Sequence, residues 1–426
     1  MSNSFSKEER VAFEDILEGF QDALVLSRNV SVYNTDQTMM ERSNNTIWRP
    51  QPYIAQSINS TPGTAISGYQ GMTQLAVPAT LGFSKTVPWE MTSLELRDAL
   101  QEGRLGKAAK QKLASDINIA TMNAAAGLGS LVVPIAAAAG DYDDVALCDA
   151  IMNEQGVPDY DRFMALSSRD YNGLAGNLVG TARSFGNQKS DKAYERSYVG
   201  VSAGFDTYKM DYANRQTAAA GGGSITIDTS GAGTQANYVP QATSTSVGGQ
   251  INVDNRFQTV TVSSTTSVAA GDAFTIAGVF AVHHITKQST GQLKTFRVVS
   301  VTNGTTMVIT PPIIGAQSVA TDAQLQYKNA EVSAPSNTAA ITFLNVNTAS
   351  VNVFWQRDSL EILPGRYAVP SDAGVAVMRA TTDQGIELVL QKFYEIDSMT
   401  IKYRMDTLFG VVNKNTEMSG ILLFNQ

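Results

Sequence analysis

The chain is short of the side chains that carry chemistry. Among its 426 residues there is one cysteine, Cys148, so no disulfide can close within the chain. That usage fits a reducing compartment. There are two histidines, His283 and His284, side by side. Neighbours on a strand point to opposite faces, and no cysteine or carboxylate cluster flanks this pair, so no metal site is expected. No serine sits in an elbow motif that would make a Ser-His-Asp triad. The glycines at 221–223 and 231–233 lack the strand-to-helix setting and the Lys-Ser/Thr pair of a phosphate cradle, and read as a hinge. Asp141, Asp143 and Asp144 stand directly before a helical run, where an acidic N-terminal cap belongs. No catalytic residue and no cofactor are therefore expected, and the chain reads as a structural protein. The opening residues lack a signal-peptide pattern. The longest apolar stretch, LGSLVVPIAAAA, is too short for a bilayer and contains Pro134. A soluble protein made in a cytoplasm, with no membrane partner, is expected. The net charge of −8 offers no basic field for nucleic acid.

Charge is also missing locally. Residues 216–340 hold five acidic residues (Asp228, Asp254, Asp272, Asp322, Glu331) and five basic ones (Arg256, Lys287, Lys294, Arg297, Lys328). The other 301 residues hold 60 charges. The same segment is rich in Ser, Thr, Val, Ala and Gly and carries short alternating runs: QTVTVSS, FTIAGVFAV, FRVVSVTNG, TMVITP. This pattern predicts an all-β module. The flanks carry helical periodicity, so the module is an insertion in an α/β host. A chain of this length exceeds one core, and several domains are expected.

The host has its own signals. Phe13, Ile16, Leu17, Phe20 and Leu24 form one stripe of an amphipathic helix over residues 8–26, with Glu14, Asp15, Glu18 and Asp22 off the stripe. Residues 43–90 contain Pro50, Pro52, Pro62, Pro78 and Pro88, which exclude a long helix and predict an extended loop, with hairpin-like alternation in LAVPATLGFSKTVPW. A long helix is predicted over 93–128, with Ser93 as N-cap and Gly103 and Gly106 as points of a break or bend. If continuous, it would be a rod of about 54 Å. Residues 141–215 mix helices, strands and loops, and residues 341–410 return to αβ patterning that ends in strands. Trp48 and Trp355, beside β-branched or aromatic neighbours, are expected to be packing residues.

Three segments, MERSNNTIWRP at 40–50, INVDNRFQTVTVSSTTSVAAGDAFTIAGV at 251–279 and NVNTASVNVFW at 345–355, resemble the major coat proteins of short-tailed phages of the Lederbergvirus type. LRD at 96–98, GSLVV at 129–133 and SAGFD at 202–206 fall in the same order as in that family. The resemblance implies an α+β chain with the Hong Kong 97 capsid fold and an inserted, telokin-like β-barrel. It implies that residues 1–30 are an N-terminal arm, 31–140 an extended loop and peripheral domain with a spine helix at 93–128, and 141–218 part of an axial domain. It further implies that 219–345 are the inserted barrel and 346–426 the rest of the axial and peripheral parts. The implied partners are copies of the chain in hexamers and pentamers, a scaffolding protein and a portal protein, around double-stranded DNA held without specific recognition. The acidic face Glu14, Asp15, Glu18 would suit the basic helical C-terminus that scaffolding proteins of this type resemble one another in offering. The family's charged hairpin before NVDNRF, which contacts the neighbouring capsomer, is replaced here by uncharged QATSTSVGGQ at 241–250, so either hydrogen bonds from Thr243, Ser244, Thr245 and Ser246 would have to serve or the contact differs. The competing expectations are another phage structural protein, such as a tail-tube subunit with an inserted β-domain, and an enzyme with an inserted β-domain, which the residue census opposes.

Overall fold

A computed structural model describes residues 7–33, 46–52, 55, 57, 61–63, 69, 71–92, 94–95, 99–181, 199–210, 212–220, 225–228, 237–317, 320–369 and 375–425. The chain divides into two compact units, Met1–Ile47 with Pro78–Asn123 and Leu360–Val412, and Trp48–Val77 with Ala124–Ser359 and Asn413–Gln426.

The first unit is built on a long antiparallel sheet. Strand Thr400–Asn413 pairs with Phe83–Thr92 and with Glu387–Glu395, which pairs in turn with Ala376–Thr381. Strand Leu360–Pro364 belongs to the same sheet and takes Ser31–Val32 in parallel. Helix α1, Lys7–Ala23, buries Phe13, Ile16 and Phe20, as its stripe predicts. Helix α2, Ala99–Leu128, runs unbroken for 30 residues through both Gly103 and Gly106, about 45 Å at the usual rise. It starts later than the sequence predicts. Thr92 instead turns the chain, its backbone N–H and hydroxyl donating to a Glu95 carboxylate oxygen at 2.8 and 3.0 Å. Ser93 and residues 96–98 lie outside the described residues. Gly106 marks no break: a Cβ there would lie 2.6 Å from Ile16 Cδ1, so the glycine lets α1 lie close.

The alternation in LAVPATLGFSKTVPW does form two strands, Ala76–Thr80 and Phe83–Thr92. They do not pair as a hairpin. The first pairs with Thr46–Pro50 and the second with Thr400–Asn413. Alternation reports which faces are buried, not which strand lies alongside. Trp48 is only half-buried.

The second unit holds a seven-stranded sheet. Its path runs Leu131–Ile135, Ser419–Phe424, Ala349–Gln356, Arg162–Leu166, Phe205–Lys209, Val201–Ser202, with Arg215–Gln216 against Ala349–Ser350. Strands Arg162–Leu166 and Ser419–Phe424 are buried at every position, the signature of a sheet covered on both faces. Helix α3, Tyr142–Gln155, starts at a capping box between Asp141 and Asp144, as the acidic run predicts, and stops at Gly156 with φ of 78°. Helix α4 spans Ser168–Thr181. Met164, Phe205, Phe354, Leu422 and Cys148 share the core. Burial pushes the Cys148 thiol well up, with Asp144 and Asp149 adding to it, so it stays protonated. Gly420 sits where any Cβ would run into the Leu131 carbonyl and the Phe354 ring.

The inserted module is a five-stranded antiparallel sheet in the order Gln258–Thr261, Thr306–Thr310, Ser289–Asn303, Ala273–Val282, Ile341–Phe343. Residues 225–228 close it into a barrel. Thr226 and Ile227 bridge to Ala340 on one edge and Val262 on the other. Closure removes both edges. Phe274, Phe296, Val260, Ile227 and Ile309 fill the interior. A short helix α5, Asp322–Gln326, is capped by Thr321. Entry and exit run together as a stem: the Ala219 N–H donates to the Asn345 carbonyl at 2.8 Å, and Asn345 Nδ2 donates to the Thr217 carbonyl at 3.1 Å. The glycine-rich hinge at 221–223 and 231–233 lies outside the described residues.

Two outcomes are expected. Residues 219–345 expressed alone will fold, because the barrel closes around its own core, and will give a dispersed β-type NMR spectrum. Trp355 is fully buried in the seven-stranded sheet beside Phe163, with ring centroids 6.0 Å apart. Trp355→Ala will lower the stability of the full chain by about 3–5 kcal/mol in urea denaturation, through the cavity it leaves.

Candidate assembly surfaces

The uncharged stretch before NVDNRF is a two-stranded hairpin. Strand Thr243–Ser246 pairs antiparallel with Gly249–Asn252, with Thr243 opposite Asn252 and Ser246 opposite Gly249. Ser244 is half-buried and the other strand residues are exposed. The four residues named from sequence therefore lie together on one projecting element. Its base is rigid, and the NVDNR motif explains why. Asn255 is buried, accepts from the Tyr238 hydroxyl at 3.1 Å and the Gln241 N–H at 3.0 Å, and donates to the Gln241 carbonyl at 2.8 Å. Arg256 grips both Asp254 oxygens and donates to the Asn413 carbonyl at 2.9 Å. Burial and the neighbouring Asp254 charge push the Tyr238 hydroxyl up to about 12, so it stays protonated.

The N-terminal helix divides by face. Phe13, Ile16 and Phe20 are buried within their own unit, while Glu14 is exposed. The side chains of Asp15 and Glu18 lie outside the described ones. Glu9 pairs with Lys392 of the long sheet.

Two features escaped the sequence. The first is an open, mainly apolar groove of about 510 Å³ on the long sheet, lined by Pro88, Trp89, Phe393 and Tyr403 among others. Trp89 stacks on Tyr403 at 5.4 Å. The adjoining turn exposes Ile396 and Met399. The pairing of strands distant in sequence creates this surface, so no local pattern announces it.

The second is a buried ionic cluster where the module meets the host sheet. Lys294 pairs with Glu417, which also accepts from Asn329 Nδ2 at 3.3 Å and lies 3.7 Å from His284 Nε2. Asn329 is fixed in place, accepting from the Ile314 N–H at 3.0 Å and donating to the Pro312 carbonyl at 3.0 Å. Lys287 donates to the Lys328 carbonyl at 3.2 Å. The histidines are not strand neighbours: their strand ends at Val282, and His283 Nδ1 caps the following turn by accepting from the Ile285 and Thr286 N–H groups, both at 3.2 Å. Among the described residues no group of three or more His, Cys, Asp or Glu could hold a metal. Burial depresses His284 to about 4. Glu417 pulls the other way, and Lys294, Lys287 and His283 add to the depression. Burial alone would raise the Glu417 carboxyl, but Lys294 and the hydrogen bonds from Lys294 and Asn329 hold it below its ordinary value. His284 is thus neutral at pH 7, and the lysine holds the carboxylate charged. Burial, only partly opposed by Glu417, lowers Lys287 to about 8.

The described residues thus present a projecting hairpin, an amphipathic N-terminal helix, an apolar groove and an inserted barrel. The family model for the P22 coat protein, gene protein 5, matches residues 1–425. The chain belongs to the P22 coat protein family. It is a phage major capsid protein of mixed α+β architecture that forms an icosahedral shell, and its place is the virion capsid. This coat protein is similar to several solved structures. One is the CUS-3 coat protein I-domain, at 40% identity over 29% of this chain and 96% of that one, with a TM-score of 0.23. Another is the mature capsid of bacteriophage PhiM1, at 11% identity over 100% and 88%, with a TM-score of 0.44. A third is the capsid of Cyanophage P-SCSP1u, at 9% identity over 93% and 86%, with a TM-score of 0.43. Family membership removes the tail-tube alternative.

Acid should loosen this coat protein at the module seam. The unfolded chain takes up a proton at His284 near pH 6.5, whereas the folded chain does so only near 4. Stability is therefore lost as pH falls through that window, by roughly 3 kcal/mol for this histidine. Glu417 has a lowered folded value, so its contribution is present above its ordinary value and is lost as pH falls further, in the same direction. His284→Gln will flatten the fall in urea midpoint between pH 6.5 and 4. An unchanged slope would count against the assignment.

Proposed function

We propose that this coat protein assembles in the host cytoplasm with a scaffolding protein into a precursor shell of hexamers and pentamers around a portal protein. The shell encloses double-stranded DNA without recognising its sequence, and the subunit's role is structural rather than enzymatic. In this reading residues 1–30 are the arm, and 31–140 the extended loop and peripheral domain. Residues 141–218 and 346–426 supply the axial domain and the remaining peripheral strands, and 219–345 are the inserted barrel. The hairpin residues Thr243, Ser244, Thr245 and Ser246 face the neighbouring capsomer.

The scaffold contact falls to Glu14, Asp15 and Glu18. What supports it is the division of helix α1: its apolar stripe is already buried within its own unit, and Glu14 is exposed on the side away from that stripe. The face left for a partner is acidic, and a basic helix is the partner that such a face fits. Each exposed pair contributes only about 0–1 kcal/mol, but many copies around a shell turn small biases into a real one. Screening makes such a contact weaken steeply with salt.

The test is charge reversal. Glu14→Lys, Asp15→Lys and Glu18→Lys together will abolish scaffold-directed assembly in electron micrographs and leave the circular dichroism of the subunit unchanged. Normal shells from the triple variant would return the arm to plain packing.

A further inference from the structure

The sequence contains two Asn–Gly pairs, Asn172–Gly173 and Asn303–Gly304, and the fold treats them in opposite ways. In such a pair the backbone nitrogen of the glycine can attack the side-chain carboxamide, because glycine brings no Cβ into the ring that forms. Asn172–Gly173 lies inside helix α4. There the Gly173 N–H is turned along the axis into the helical ladder. The backbone is packed so closely that a Cβ on Gly173 would run into the Ala139 carbonyl oxygen. That nitrogen reaches no carboxamide unless the helix opens.

Asn303–Gly304 stands at the tip of the barrel hairpin between Ser289–Asn303 and Thr306–Thr310, with Asn303 paired to Thr306. Both residues are exposed. Gly304 has open space where a Cβ would stand, and among the described residues no hydrogen bond holds its N–H. The Asn303 carboxamide, by contrast, is held. Its Oδ1 accepts from the Thr305 N–H at 2.9 Å and from the Thr305 hydroxyl at 3.3 Å, the geometry of an Asx turn. These two donors aim at the oxygen on which charge gathers when a nucleophile adds to Cγ. Thr265 fixes the backbone behind the tip. Its hydroxyl donates to the Asn303 carbonyl at 2.5 Å and its N–H to the Gly304 carbonyl at 2.9 Å. The reacting groups are thus kept side by side.

We propose that Asn303 is a site of self-modification, in which the Gly304 nitrogen closes on the Asn303 side chain and water reopens the ring to aspartate or isoaspartate. The Gly304 nitrogen gives its proton to a solvent base and forms a bond to Asn303 Cγ. The Cγ–Nδ2 bond breaks, and that nitrogen leaves as ammonia with a proton taken from water. Water then splits one of the two C–N bonds of the imide ring. No electrons are gained or lost. Splitting the new bond gives aspartate at 303. Splitting the original peptide bond routes the main chain through the side chain and lengthens it. Either product puts a negative charge on the part of the chain poorest in charge. The lengthened backbone also leaves the register with Thr306 and the bonds from Thr265.

The experiment holds the full folded chain at mildly alkaline pH, in parallel with the same chain unfolded in guanidinium. Trypsin releases Val298–Lys328, in which Asn303 is the only asparagine. Mass spectrometry therefore reads its conversion directly, and chromatography separates isoaspartate from aspartate. In the folded chain Asn303 should convert within about tenfold of its rate in the unfolded chain, while Asn172 keeps its amide over the same period. The unfolded chain should convert both. Gly304→Ala, which the open space accommodates, should slow the conversion of Asn303 by roughly tenfold or more. Retention of Asn303 in the folded chain to the same extent as Asn172 would overturn the proposal. So would an unchanged rate in Gly304→Ala, or aspartate as the sole product, since each means direct hydrolysis without a ring.

Discussion

The buried pair between Lys294 and Glu417 ties the inserted barrel to the rest of the second unit. It lies where a charge-poor barrel meets a sheet made of strands from both ends of the host sequence. Most of the module's cations are used at or near this seam. Lys294 takes Glu417, Arg256 reaches the Asn413 carbonyl, and Arg297 donates to the Gly271 carbonyl at 3.0 Å and approaches the Gly129 carbonyl at 3.5 Å. Thr295 adds a hydrogen bond of 2.6 Å to the Ser130 carbonyl. A buried pair of this kind is weak as net stabilisation but costly to break singly, about 3–5 kcal/mol, because the survivor is left charged and dry. Any arrangement that separated barrel and sheet here would leave Glu417 buried without its lysine.

Much of the fold was legible because the relevant physics is local. The stripe Phe13, Ile16, Phe20 is visible as spacing, and these residues are buried. The low charge of 216–340 is visible as composition, and a closed barrel lies there. Asp141 before α3 is visible as a cap, and it caps. Other features depend on partners remote in sequence. Ala76–Thr80 and Phe83–Thr92 read as a hairpin because adjacency is the default, yet the first pairs back with Thr46–Pro50 and the second with the remote strand Thr400–Asn413. Gly106 reads as a helix break because propensity penalises glycine, whereas the approach of Ile16 is the reason for it. Glu417 has no local signature at all. The one hint was that Lys294 is a rare cation in a segment that otherwise avoids charge.

The assembly surfaces divide in the same way. The hairpin was located through the NVDNRF motif, and the network around Asn255 and Arg256 gives that motif a physical role, since it sets the base from which Thr243–Ser246 project. The groove around Trp89 and Tyr403 exists only once strands from residues 83–92 and 400–413 lie together, and no run of sequence could have announced it. For a subunit that works by contact, the surfaces most hidden from sequence are those assembled from the most distant segments.

The stem at the base of the barrel carries a topological consequence. Closing a chain of about 130 residues onto itself costs roughly 3 kcal/mol more than closing a tight turn, because loop entropy grows with the logarithm of length. The paired linkers, with Ala219 bonded to Asn345 and Arg215–Gln216 laid against Ala349–Ser350, remove most of that difference once the barrel has formed. To the host sheet the whole barrel then behaves as an oversized β-turn. Its length can then change without moving the register of the strands on either side, provided its two ends still leave together and the residues that meet the host sheet are kept.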